Sequence, residues 1–296
     1  MKNQGVPPDH LAARPSDTPF EFAGGVAVVT GAASGIGAAL ATELARRGSR
    51  LVLLDRDVER LAKVAAPLGA ETHVVDLGDA AAVVETGQRV RAAHPRVRLL
   101  VNNAGIALGG RFEQVTLEQY EEVIDVNFGA VVRLTHTLLP ALRAEPGAHL
   151  VNVSSLFGLF APAGQTAYAA SKFAVRGFSE ALRQELAGAI GVTTVHPGGV
   201  RTRIAESARV GVGVDPDEYE RERRIWSALL SIPPERAAAQ IVTAIEHRRA
   251  RLLIGASARV PDLLARAMPT GWARVYRAGQ QGVRALALRQ AARSQR

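Results

Sequence analysis

The sequence predicts an α/β protein: one doubly wound domain with a seven-stranded parallel sheet, helices on both faces, and a C-terminal helical extension. Short β-branched, apolar segments alternate with helical segments of roughly a dozen residues. The strands are apolar on both faces, which is typical of a parallel sheet covered on both sides. The first strand also runs directly into a glycine-rich turn that opens a helix.

The elements follow one another without a linker that would divide the domain. The predicted strands are 26–30, 51–54, 72–76, 97–103, 149–155, 192–198 and 251–255. The predicted helices are 36–47, 57–66, 79–93, 117–143, 167–187 and 234–247.

Three segments are expected to differ from the 22–256 catalytic domain. Residues 1–21 carry four prolines and no apolar core like that of a signal peptide, which predicts a flexible tail. Residues 203–236 are glycine-containing and charged, which predicts a lid over the site. Residues 257–296 predict a basic, amphipathic extension, whose helical apolar stripe consists of Val260, Leu263, Leu264, Ala267 and Met268.

Composition narrows the classes of function. The absence of cysteine excludes disulfides and thiolate metal sites and favours a cytoplasmic protein, for which we expect no metal centre. No apolar run approaches the ~18 residues of a membrane span. The net charge of +8 is concentrated after His247, which indicates a solvated arginine-rich face; peripheral membrane contact through the extension is the alternative. We expect no nucleic-acid partner, because no DNA- or RNA-binding signature accompanies the charge.

The glycine-rich turn, TGAASGIG at 30–37, has the context of a dinucleotide-binding site. A backbone without side chains can approach a pyrophosphate, and the helix N-terminus offers free N–H groups. Carboxylates end the second strand (Asp55) and the third (Asp76), and the amides of 102–105 end the fourth. All of these lie at the carboxyl edge of the sheet, where ligands bind in this Rossmann-type fold.

Asp55 bears on the choice of cofactor. A carboxylate at this position binds the ribose hydroxyls and repels the 2′-phosphate of NADP, which favours NAD. Arg56 could instead grip that phosphate, whereas Ser34 supplies no basic partner. We therefore expect NAD, with NADP as the alternative.

At this point the sequence resembles the classical short-chain dehydrogenase/reductase family. The matching motifs occur in the family's order and spacing over residues 22 to 255: TGAASGIG (30–37), Asp55, Asp76-Leu77, NNAG (102–105), the asparagine of IDVNFGA (124–130), NVSSLFG (152–158), YAASK (168–172) and HPGGVRT (196–202). The resemblance implies an NAD(P)-dependent alcohol/carbonyl oxidoreductase. It implies a catalytic set of Asn127, Ser155, Tyr168 and Lys172. The cofactor residues are expected to be Gly31, Ser34, Gly35, Ile36, Gly37, Asp55, Arg56, Asp76, Leu77, Asn103, Ala104, Gly105, Tyr168, Lys172, Pro197, Gly198, Val200 and Thr202.

The residue types suit the chemistry. Tyr168 and Lys172 are four apart, so a helix places both on one face, where the ammonium favours the phenolate. Ser155 lies thirteen residues before the tyrosine, as the family's catalytic serine does, and Ser154 is its structural neighbour. Asn127 is expected to hold a water that links Lys172 to solvent. His196 is a less convincing second base, because it precedes a turn.

The motifs predict the family, but they predict only the general class of substrate. The expected substrate-binding residues are Ser155, Phe157, Gln165, Tyr168 and Gly199. The wall they belong to is mostly apolar, which favours a hydrophobic secondary alcohol or ketone. The alternatives are an NADPH-dependent ketoreductase and a non-catalytic dinucleotide-sensing scaffold. By analogy with the family, helices 117–143 and 167–187 predict a homodimer or homotetramer.

Overall fold

The computed structural model describes residues 18–275, apart from 203, 205–207, 218, 221–222 and 224–229. Its strands are β1 Val26–Thr30, β2 Arg50–Asp55, β3 Glu71–Val74, β4 Leu99–Asn102, β5 Leu108–Gly109, β6 His149–Val153, β7 Gly191–Pro197, β8 Arg209–Val210 and β9 Arg251–Ile254. Its helices are α1 Gly35–Arg46, α2 Val58–Ala65, α3 Ala80–Ala93, α4 Leu117–Ile124, α5 Ala130–Arg143, α6 Thr166–Glu185, α7 Pro234–Glu246 and α8 Ala256–Ala267. Single turns of 3₁₀ helix lie at Ala66–Leu68, Phe112–Gln114 and Leu156–Gly158.

Seven parallel strands form the main sheet, in the order β3-β2-β1-β4-β6-β7-β9. The predicted fold class is confirmed. The winding direction reverses between β1 and β4, so the loops after these two strands diverge and leave a crevice. Thr30 pairs with Leu54, and Asn102 with Asn152, so the carboxyl ends of β1, β2, β4 and β6 meet at one edge.

Side chains at alternate strand positions pack into two apolar cores, one on each face of the sheet. Val29 lies in the core that α1 and α7 cover, and Val28 lies in the core that α3 and α5 cover. This burial on both faces explains why the strands are continuously apolar rather than alternating.

The N-terminal boundary lies earlier than predicted. Phe20 and Phe22 are buried, their rings meet edge to face at 4.8 Å, and the Phe20 N–H donates to the Glu246 carbonyl at 2.9 Å. The domain therefore includes Thr18 onward, which the expected tail of 1–21 placed outside it. Residues 1–17 lie outside the described part of the chain.

Two local features were not predicted. The helical segment 117–143 contains a π turn at Asp125–Gly129, between α4 and α5. In the expected lid, β8 pairs in parallel with β5, so that part of the segment is fastened beside the loop after β4. Some of the remaining lid residues lie outside the described part.

The C-terminal helix α8 packs on the domain through a face different from its apolar stripe. Ala258 and Asp262 are buried, and Asp262 pairs with Arg251, with 3.1 Å between Oδ2 and Nη1. Val260 and Leu263 of the stripe are exposed, by 57% and 68%. Among the described residues, no helix is long and apolar enough to cross a bilayer.

Candidate active site

The glycine turn after β1 is closely packed. A Cβ at Gly37 would lie 2.0 Å from the Gly31 carbonyl oxygen, so only glycine fits there. The Asn103 amide donates to the Thr30 carbonyl at 2.9 Å and fastens the turn to the end of β4. Ser34 precedes α1 and makes no side-chain capping bond to the helix. The helix N-terminus and this hydroxyl are therefore available to an anionic group.

Asp55 lies beside the same turn. Its two carboxylate oxygens accept from the N–H groups of Ala33 and Asp57, each at 3.0 Å. The next residue, Arg56, is half-exposed, and its Nη1 is 3.9 Å from Oδ2 of Asp76. This edge of the crevice thus presents a fixed carboxylate with a weakly paired, exposed guanidinium next to it.

Tyr168 and Lys172 lie on one face of α6, and both are buried. The Lys172 ammonium donates to the Val153 carbonyl oxygen at 3.1 Å and lies 5.7 Å from the centroid of the Tyr168 ring. A Cβ at Gly105 would lie 3.1 Å from both Lys172 Nζ and Asn127 Oδ1, so glycine leaves the space that this cluster occupies.

The two neighbouring serines have different partners. The Ser154 hydroxyl donates to the Lys172 carbonyl at 2.8 Å and is buried in the β6–α6 contact. The Ser155 hydroxyl accepts the Phe157 N–H at 3.1 Å and lies near enough to the Tyr168 side chain to act on its pKa. The structure therefore brings Ser155, and not Ser154, to the tyrosine hydroxyl.

Burial dominates the titration of the pair. The pKa of Tyr168 is raised by desolvation, and the nearby Ser155 side chain acts in the opposite direction. The pKa of Lys172 is lowered from 10.5 to about 8, also by desolvation. The sequence led us to expect a lowered tyrosine pKa. In the structure the loss of water around the phenol raises that pKa, and the Ser155 side chain offsets the rise only in part.

Asn127 lies at the centre of the π turn, with both N–H donors of its side-chain amide used in hydrogen bonds. Its Oδ1 accepts the Ile106 N–H at 2.8 Å, while Nδ2 donates to the Ile106 carbonyl at 2.9 Å and to Ser171 Oγ at 3.0 Å. The side chain therefore ties the loop after β4 to α6, and it has no donor left for a bridging water.

The turn after β7 completes the crevice. A Cβ at Gly35 would lie 3.2 Å from Thr202, which places that threonine at the N-terminus of α1. Val200 is buried, and the Gly199 N–H donates to the hydroxyl of Ser257, in α8, at 3.0 Å. The contribution of Ser257 could not be anticipated, because nothing local in the sequence signals it.

His196 is buried below the site rather than exposed to substrate. Its Nδ1 lies 3.0 Å from the Ser155 carbonyl oxygen, and burial lowers its pKa from 6.5 to about 4. A neutral ring with Nδ1 as the donor fits these contacts. The histidine supports the backbone of Ser155.

Among the expected substrate residues, Phe157 lies edge to face with Tyr168, with 6.2 Å between ring centroids. Gln165 precedes the first turn of α6 and makes no side-chain capping bond. Trp272, in the C-terminal extension, lies 5.2 Å from Phe160 in the same loop as Phe157. No role in the site was predicted for Trp272.

Comparisons with known proteins agree in family and fold. The family model described as short chain dehydrogenase matches residues 25–212. The oxidoreductase SadH of Mycobacterium tuberculosis is 43% identical, over 87% of this chain and 96% of SadH. A short-chain dehydrogenase/reductase from Burkholderia phymatum in complex with NAD is 30% identical, with a TM-score of 0.75, over 84% of this chain and 95% of that one. A metagenomic short-chain oxidoreductase in complex with NADP is 32% identical, with a TM-score of 0.63, over 78% and 97% of the two chains.

Proposed function

This chain belongs to the short-chain dehydrogenase family and is an oxidoreductase that acts on CH–OH groups with NAD(P), and we propose that its substrate is a hydrophobic secondary alcohol or the corresponding ketone. The observation that carries the proposal is the buried cluster of Ser155, Tyr168 and Lys172, with the ring of Phe157 beside the tyrosine. A polar reacting group would meet hydroxyls there, and the rest of the substrate would meet an aromatic surface.

We assign proton transfer at the substrate oxygen to the Tyr168 hydroxyl. Ser155 is placed to donate a hydrogen bond to the same oxygen, because its side chain lies beside that of Tyr168. Lys172 supplies the nearby positive charge that stabilises a phenolate when the tyrosine gives up its proton. A bound nicotinamide would supply or accept the hydride.

The crevice fits a dinucleotide. The cradle at Gly37 would be filled by any side chain, and the N-terminus of α1 lies open beside Thr202. The residues proposed to hold the cofactor are those that the family resemblance implies, of which Gly31 is the first in the chain and Thr202 the last. Asp55 supports NAD over NADP, since a 2′-phosphate would face its carboxylate. Arg56 is exposed enough to support the alternative, an NADPH-dependent ketoreductase.

We expected the Asn127 side chain to hold a water that links Lys172 to solvent, and we now propose a positioning role for it. Because its amide is bonded to Ile106 and Ser171, we assign any water between Lys172 and solvent to main-chain groups of the π turn. The side chain then serves to position Lys172 through its hydrogen bond to the adjacent Ser171 of α6.

The proposal is tested by following NADH and NADPH absorbance with a panel of hydrophobic ketones and alcohols. We expect turnover of secondary alcohols and ketones, with NADH bound at least tenfold more tightly than NADPH, about 1.4 kcal/mol. Dinucleotide binding without turnover of any member would favour the sensing scaffold. Tighter binding of NADPH would favour the ketoreductase.

Two further expectations concern partners. We propose a homodimer or homotetramer formed through α4–α5 and α6; the support in this structure is the apolar exposure of Leu117 (66%) and Phe173. We propose peripheral membrane contact through α8, supported by the exposed Val260 and Leu263 with the exposed Arg259 beside them. The lid that we predict over the site at residues 203–236 stays a prediction.

A further inference from the structure

Four aromatic rings form a continuous row from the site to the C-terminal extension. Phe157 lies 6.2 Å from Tyr168, Phe160 lies 5.5 Å from Phe157, and Trp272 lies 5.2 Å from Phe160. All three contacts are edge to face, at interplanar angles of 88°, 89° and 67°. Phe160 is buried, whereas Phe157 is only partly buried and lies nearer the tyrosine.

The extension that carries Trp272 is fastened to the rest of the domain at two points that precede the indole in sequence. Ser257 accepts the Gly199 N–H at 3.0 Å, and Asp262 pairs with Arg251 of β9. The Asp262 carboxylate is buried, and desolvation acts to raise its pKa. The hydrogen bond and charge of Arg251, together with the charge of Arg266, nevertheless lower that pKa on balance. The segment that places the indole against Phe160 is therefore held to the domain by contacts of Ser257 and Asp262.

We propose that Trp272 is a positioning residue that sets substrate size: by backing Phe160, it fixes how far Phe157 can move away from the reacting centre. The inference rests on the proposed function, because it assigns Phe157 to the apolar part of an alcohol or ketone. Interiors are close-packed, so removing the indole leaves space into which Phe160 and then Phe157 can shift. Larger apolar groups would then fit beside Tyr168.

The test measures kcat and KM for a homologous series of methyl ketones from butanone to decanone. Trp272→Ala is expected to raise the ratio of kcat/KM for decanone to kcat/KM for butanone at least tenfold, through a lower KM for decanone. Its kcat for butanone should stay within about twofold of the wild-type value. Trp272→Phe should restore most of the wild-type ratio. Leu263→Ala, on the exposed face of the same extension, should leave the ratio unchanged.

Because Trp272 acts through Phe160, the Phe160→Ala and Trp272→Ala effects on this ratio should be far less than additive. An unchanged ratio in Trp272→Ala would overturn the inference. So would a proportional loss on every ketone that Trp272→Phe does not restore.

A binding measurement separates this inference from the proposed function. The chain has two tryptophans, so Trp226→Phe leaves Trp272 as the only indole. We expect decanone to change its emission saturably. Saturable binding without turnover would contradict the proposed function alone, whereas emission that decanone never alters would contradict the role of Trp272.

Discussion

The ammonium of Lys172 lies 5.7 Å from the centre of the Tyr168 ring, and both side chains are buried. In the described part of the chain, no carboxylate pairs with this lysine, and its ammonium donates a hydrogen bond to the Val153 carbonyl. The site thus keeps a nearly unsolvated cation next to a phenol. Such an arrangement serves proton transfer, but it costs stability.

Replacing Lys172 should therefore stabilise the fold. Its pKa is lowered from 10.5 to about 8, so the unfolded chain binds the proton more tightly than the folded one. The penalty is complete below the lower of these values and fades as pH rises towards the higher one. Lys172→Met should raise the free energy of unfolding at neutral pH by about 2 kcal/mol. Relief of the pKa shift contributes about 3 kcal/mol, and loss of the hydrogen bond to the Val153 carbonyl subtracts about 1 kcal/mol.

Urea denaturation at pH 7 and pH 10 measures this effect, and the gain should shrink at the higher pH. Lys63→Met, at an exposed position of α2, is the control and should change little. Destabilisation of Lys172→Met at neutral pH would show that the lysine is paired more effectively than its contacts indicate. Turnover by this variant should be lost.

Tyr168→Phe removes the hydroxyl that Ser155 contacts and retains the ring that Phe157 packs against. We expect turnover to fall by about a thousandfold, within the usual range for a general acid–base group, while NADH affinity changes less than twofold. Steady-state kinetics and fluorescence titration provide the two readouts. Tyr120→Phe, a ring that packs on Phe112, should retain full activity. Undiminished turnover by Tyr168→Phe would exclude the proposed mechanism.

His196 should contribute to acid sensitivity. Its pKa is lowered from 6.5 to about 4, so the stability associated with the neutral ring is present above the higher value and is lost as pH falls towards the lower one. His196→Asn keeps a donor for the Ser155 carbonyl and removes the titration. Between pH 7 and 4.5 it should lose about 2 kcal/mol less stability than wild type. His247→Asn, at an exposed position, is the control. Identical acid profiles for wild type and His196→Asn would contradict this assignment.

Asp55 should determine the preference for NAD. Asp55→Asn removes the charge that would face a 2′-phosphate and keeps an acceptor for one of the two N–H groups. NADPH affinity is expected to rise about tenfold, or 1.4 kcal/mol, whereas NADH affinity should fall because the ribose hydroxyls lose a charged acceptor. Asp57→Asn removes the same charge from the cap of α2 and should leave the preference unchanged. If both variants shift the preference equally, only the overall charge of the edge matters.

The strands, and the sheet edge at which the site residues meet, were predictable because each depends on local sequence. An apolar run such as 26–30 marks its own strand, and parallel strands bring their carboxyl ends to one edge whatever covers them. Tyr168 and Lys172 share a face because they are four residues apart on a helix. For these features, local pattern and tertiary structure agree.

What could not be predicted depends on contacts distant in sequence. The direction of the Tyr168 pKa shift follows from how deeply α6 packs, and the position of Phe20 follows from its bond to Glu246. The stripe on α8 had the period of a packed helix, yet the helix is held by Asp262 and exposes Leu263. Periodicity locates an apolar face but does not identify what covers it.

That exposed face gives a last prediction. Val260, Leu263 and Met268 present an apolar surface, and Arg259 beside them is exposed, a combination that suits an anionic bilayer surface. We expect the protein to float with vesicles that contain phosphatidylserine and to remain unbound with neutral ones. Leu263→Asp should abolish flotation, whereas Val212→Asp, at an exposed valine outside α8, should not. Equal flotation of wild type and Leu263→Asp would exclude membrane contact through α8. A fall in oligomer size in Leu263→Asp, without any flotation of wild type, would instead assign the face to a second copy of the chain.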